Sequence, residues 1–183
     1  MTNETAQLLA SLTKQQQLLS LILDTLNKPK LGLHNDAGSC KIYCNRQHGS
    51  LWYTLNNGEP SAIAATALTG YLLSLRFEKC DRRGKEVHKL LTTIQADRLY
   101  ILESGHDTHF SKGLMAAVAT LTPQQLLQPV TIQPAPGDDE SVLFCRVWLG
   151  NEQIKASYDD TTDWKATAHH AIAVVKAAIE MPF

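Results

Sequence analysis

The segment 67–79 (ALTGYLLSLRFEK) constrains the fold of this chain more than any other. Tyr71, Leu73, Leu75 and Phe77 alternate, the period of a strand that turns one face inward. Gly70 lies inside the run, and a glycine there marks a bulge or a sharp bend. The polar loop 80–86 (CDRRGKE) follows, with Gly84 as its turn residue. Further strands are predicted at about 87–95 (VHKLLTTIQ) and 98–103 (RLYILE), split by Ala96-Asp97. A long, bent strand with two antiparallel successors is therefore expected at the centre of the molecule.

A helix is predicted near 109–120, with Asp107 and Ser111 as N-cap candidates and Phe110, Leu114, Met115, Val118 and Leu121 on its apolar side. Strands return at Pro129–Ile132 and 141–149, around a turn through Pro134, Pro136 and Gly137, and 152–156 extends the last past Gly150-Asn151. Upstream, 40–45 (CKIYCN) and 50–55 (SLWYTL) form a hairpin, and Asn56-Asn57-Gly58 marks the next turn. Trp52 and Tyr53 point to opposite faces of one strand, so one of them is expected to be exposed. Residues 5–27 read as a helix in which Leu12, Leu19 and Leu26 recur every seven residues, with Leu8, Gln15 and Ile22 between them; Pro29 and Gly32 end it. At the far end, Trp164, Ala168, Ile172, Val175 and Ile179 lie on one stripe of a helix over 163–180. The organisation read from this is a helix within 1–30 for docking or oligomerisation, a β-rich body at 40–156, and a linker with a helix at 157–183.

Charge narrows the function. Seventeen Lys and Arg stand against eighteen Asp and Glu, which excludes a protein that holds polyanions by bulk positive charge. The distribution is uneven: residues 1–136 carry a formal +3 and residues 137–183 carry −4. The densest cations are Arg76, Lys79, Arg82, Arg83, Lys85 and Lys89, interrupted by Glu78, Asp81 and Glu86. They read either as a solvated hairpin or as a local polyanion contact. No apolar run reaches the roughly 20 residues of a membrane span, and Met1–Ala6 has no basic signal-peptide start, so cytoplasmic residence is expected. In that compartment Cys40, Cys44, Cys80 and Cys145 are expected as thiols or metal ligands, not disulfides.

The order long strand, strand, strand, helix, strand, strand over about 66–156 resembles the oligonucleotide/oligosaccharide-binding (OB) fold, a five-stranded Greek-key barrel. Within that class the chain is similar to single-stranded-DNA-binding proteins. The resemblance implies that the strand 1–2 loop, with Arg82, Arg83 and Lys85, meets the nucleic acid. Arg76, Lys79, Lys89 and Arg98 would track phosphates, and Tyr100, Trp52 or Tyr53 would stack on bases. The end Glu180-Met181-Pro182-Phe183 resembles the Pro-Phe tip by which bacterial members of the group dock on replication and repair proteins; it also reads as a helix end whose Phe packs locally.

Other chemistry is less complete. Cys40, Cys44 and His48 are ligand types that zinc accepts, but no second cysteine pair follows. Gly105-His106-Asp107-Thr108-His109 has the residue types of a metallohydrolase fragment without a distant partner set, and Asp107 also reads as a helix cap. Adjacent His169 and His170 diverge by about 100° on a helix. No glycine pattern for nucleotide phosphates and no Gly-x-Ser-x-Gly elbow occurs. The expectation is a non-catalytic, single-stranded nucleic-acid-binding protein on an OB-like barrel, without a cofactor, serving DNA replication, repair or recombination, with a homo-oligomer through the N-terminal helix. Its rivals are a protein-interaction adaptor on the same barrel and a small zinc-dependent hydrolase.

Overall fold

The computed structural model describes residues 11–21, 38–82 and 84–181, the side chains of Arg82 and Lys85 excepted. The chain divides into two units, Met1–Asp36 and Ala37–Phe183. In the first, residues 11–21 form a helix, α1, on which Leu12, Leu18, Leu19 and Leu21 are exposed. The rest of the heptad pattern, with Pro29 and Gly32, lies outside the described residues.

The second unit begins with three short strands, β1 (Cys40–Tyr43), β2 (Tyr53–Asn56) and β3 (Glu59–Ala62). Asn57 and Gly58 join β2 to β3 with φ of 53° and 87°, the two positive values that a two-residue type I′ turn requires. Three long strands follow: β4 (Leu68–Arg82), β5 (Lys85–Gln95) and β6 (Leu99–Gly105). The helix α2 (His109–Ala119), the strands β7 (Val130–Pro136), β8 (Leu143–Leu149) and β9 (Glu152–Ile154), and the helix α3 (Trp164–Ile179) complete the unit.

The strands form one nine-stranded sheet in the order β3-β2-β1-β6-β5-β4-β7-β8-β9. Neighbours pair antiparallel except β1 and β6, which run parallel with Cys40 opposite Tyr100 and Tyr43 opposite Glu103. The two helices of this unit cover one side: α2 packs on β8, β6 and α3, and α3 packs on β4. Between them lie Leu72, Leu75, Leu90, Ile94 and Leu102 of the sheet, Phe110, Leu114 and Val118 of α2, and Ala171 and Val175 of α3. Fully burying a side chain such as Leu90 or Phe110 contributes roughly 1.5–3 kcal/mol, so this layer carries much of the stability.

This is not a five-stranded OB barrel. To close one, β6 would have to meet β8. The outer edge of β6 is instead taken by β1, and that of β8 by β9, which leaves an open, mixed sheet ending at β3 and β9. The inward alternation expected for Tyr71, Leu73, Leu75 and Phe77 holds only from Leu75 onward. The register between β4 and β5 slips between Leu72 and Ser74, and a bulge of one residue switches the inward phase. Leu72 and Leu75 are therefore both buried and Tyr71 faces out, while Phe77 keeps the inward phase of Leu75, opposite Leu90, and is 40% exposed there.

Candidate functional site

The β4–β5 hairpin pairs as far as Arg82 with Lys85, and its turn is held by the Gly84 amide donating to Asp81 Oδ1 at 2.8 Å. Arg83 and the side chains of Arg82 and Lys85 lie outside the described residues. The remaining cations are each beside a carboxylate: Arg76 by Glu78 at 3.8 Å, Lys79 by Glu86 at 2.8 Å, and Lys89 on Glu103, which Lys41 also reaches at 2.5 Å. Burial alone would raise the Glu103 carboxyl, but hydrogen bonds and charge from Lys41 and Lys89 outweigh it and hold the carboxyl below its ordinary range.

The expected stacking groups are not free to stack. Trp52 is 2% exposed, with its Nε1 donating to the Ala65 carbonyl at 2.8 Å, and Tyr53 is 6% exposed, against Tyr43 and His48. Both are buried, against the expectation that one faces solvent. Tyr100 is half-buried; its hydroxyl donates to Asp97 and Arg98 sits 5.6 Å from its ring. Glu180 caps the end of α3 and lies 3.8 Å from Lys176, while Pro182 and Phe183 fall outside the described residues.

Nucleic-acid binding on an OB barrel therefore loses its fold and its free stacking rings together. The single-stranded DNA or RNA partner, the replication or repair partner, the homo-oligomer assigned with them, and the DNA-metabolism role go with it. The adaptor reading rested on the same barrel. The zinc hydrolase fails separately: among the described residues, no group of three or more His, Cys, Asp or Glu side chains could hold a metal ion. Cys44 is buried with its thiol pushed well above the usual value, and His48 packs edge-on against Tyr53 at 4.7 Å.

A different cleft gathers side chains from four elements. Thr108, not Asp107, is the N-cap of α2, its Oγ1 accepting from the Ser111 amide at 3.3 Å. That leaves the Asp107 carboxylate free to take Lys112 Nζ at 2.6 Å, and this hydrogen bond holds its pKa below the ordinary value. Asp163 caps α3 through the Ala166 amide at 2.9 Å, which fixes Trp164 in the first turn. Lys112 Nζ then lies 5.3 Å from the Trp164 ring centre, and Tyr158 meets that ring edge-on at 5.1 Å. Phe77, on the same face of β4 as buried Leu75 and opposite Leu90, completes an apolar floor with Met115, Trp164 and Ala168. His106, Lys165 and His169 stand around it, and the cavity measures about 260 Å³.

This arrangement is suited to hold a flat or apolar body with a negative group at its edge. Lys112 is held in place from two sides, so little side-chain entropy is lost when it meets an anion. Lys165 is exposed and forms no ion pair among the described residues. The residues were individually visible in the sequence but read otherwise: Phe77 as core, Trp164 as part of a helix stripe, and Asp107 as a cap. No known protein family, curated protein or solved structure matches the chain.

Proposed function

We propose that this protein is a non-catalytic binder of small aromatic or apolar carboxylates, held in the cleft between β4, the β6–α2 loop and α3. The observation that carries this reading is Lys112, fixed by Asp107 and Trp164 beside an apolar floor. Aromatic and aliphatic lining with a few placed charges is the usual composition of a ligand pocket. The groups around the cleft are cations, imidazoles and a carboxylate engaged by Lys112, which favours binding over bond-breaking. Cytoplasmic residence belongs to the same proposal, supported by four cysteines that stand as free thiols. No described helix is long and apolar enough to cross a membrane.

Calorimetric titration with 1-naphthoate tests the proposal, with 1-naphthamide as the uncharged control. Saturable binding of the acid is expected, with Lys112→Gln weakening it about tenfold while the amide is unaffected. Equal binding of acid and amide, or an unchanged affinity in the variant, would refute the proposal.

A further inference from the structure

A second cavity, remote in sequence from the cleft, is lined by charges of both signs. Arg46 stands in the β1–β2 connection, where its Nη1 donates to the backbone carbonyls of Gly137, Asp139 and Val142 at 3.3, 2.8 and 3.4 Å. These bonds tie the connection to the β7–β8 turn and fix the guanidinium. They leave Nε and Nη2 with no protein partner among the described residues. Glu140, exposed in the β7–β8 turn, lines the same cavity and forms no ion pair with Arg46 or with any other described residue.

The walls between the two charges are mostly apolar. Leu51, Trp52, Ile63 and Ala64 contribute to them, and the indole bond from Trp52 to the Ala65 carbonyl at 2.8 Å pins the back. Ser50 also lines the cavity, and its Oγ is buried without a hydrogen-bond partner. An unpaired buried hydroxyl is costly, so a ligand group that satisfied it would gain affinity. The cavity measures about 490 Å³, within the range of small-ligand sites.

We infer that this cavity binds a short aliphatic zwitterion, an apolar amino acid or a dipeptide, with its carboxylate on Arg46 and its ammonium on Glu140. The charge pairing selects this class. A simple anion meets Glu140, a simple cation meets Arg46, and only a ligand carrying both charges satisfies both. Leu51 and Ile63 then accept the aliphatic side chain.

Calorimetry with L-leucine and L-leucylglycine tests the inference, with 4-methylpentanoate and 3-methylbutylamine as single-charge analogues. At least one zwitterion is expected to bind below about 10 mM, with each analogue roughly tenfold weaker or worse. Glu140→Gln should cost the zwitterion about tenfold and leave 4-methylpentanoate unchanged or tighter. Binding of leucine but not leucylglycine assigns a free amino acid, and the reverse assigns a dipeptide. The inference is overturned if neither zwitterion binds, if an analogue binds as well, or if Glu140→Gln changes nothing. The analogue comparison uses the unaltered protein, so it stands even if the variant folds poorly.

Discussion

Glu103 sits on β6 opposite Leu91 of β5 and Tyr43 of β1, so its carboxylate is enclosed by three strands and met by Lys41 and Lys89. The residue is 7% exposed, yet its carboxyl is held ionised because two ammonium groups outweigh the cost of burial. A folded-state pKa below the unfolded one gives stability that is complete above the unfolded value of about 4.3. That contribution is lost as pH falls through the folded pKa. Glu103→Gln is therefore expected to cost roughly 1–2 kcal/mol near neutral pH, a figure kept low because solvent reaches Lys41. It should also flatten the acid side of the stability curve. Urea denaturation at several pH values checks both; an acid limb as steep as in the unaltered protein would show that Glu103 does not carry it. None of this was legible in the sequence. Lys89 and Glu103 were visible as charges, but only the strand register makes Lys89 a partner of Glu103 and removes it from the set of cations open to a polyanion. Lys112 is likewise engaged by a carboxylate, Asp107, but the cap on Thr108 and the start of α3 at Trp164 place it beside an apolar cleft.

Among the elements, β4 decides most. It pairs with β5 along most of its length and with β7 over Leu68–Gly70, so it carries both halves of the sheet. Gly70 stands where those partners converge: a Cβ there would lie 2.5 Å from the Gln95 carbonyl oxygen and 2.6 Å from Ile94 Cγ2. Gly70→Ala must therefore move backbone as well as side chain and is expected to cost about 1–3 kcal/mol. A shift of the urea midpoint supplies the measurement, and a variant as stable as the parent would show that β4 gives way freely. The sequence marked this glycine as the site of a bulge or bend. The register break itself comes at Leu72/Ser74, and the glycine serves close approach. Turn chemistry was more legible, because Asn57-Gly58 and Gly84 adopt the positive φ that only a few residue types accept without strain.

At the scale of the molecule, the open sheet predicts a gradient of stability. Strands β4, β5 and β6 lie in the middle of the order, and Leu90, Ile94 and Leu102 are essentially inaccessible to solvent. The edge strands β3 and β9 have four and three residues. Native-state hydrogen exchange should be slowest at the amides of Leu90, Leu91, Ile94 and Leu102 and fastest in β3 and β9. Comparable protection at β3 and β5 would contradict the sheet order. The sequence by itself determined the strands of the β4–β5–β6 and β7–β8 segments, the turns between them and the two helices of the larger unit, but not β3, where only the turn before it was read. Alternation, glycine placement and capping act within a few neighbouring residues. Only the tertiary structure decided that the sheet stays open, that Trp52 and Tyr53 are buried, and that Phe77 faces a cleft. The open sheet depends on which strand edges β1 and β9 occupy, and the cleft at Phe77 on where α3 meets β4. Both are settled by contact between distant segments, for which four residues such as Cys40–Tyr43 carry no local signal.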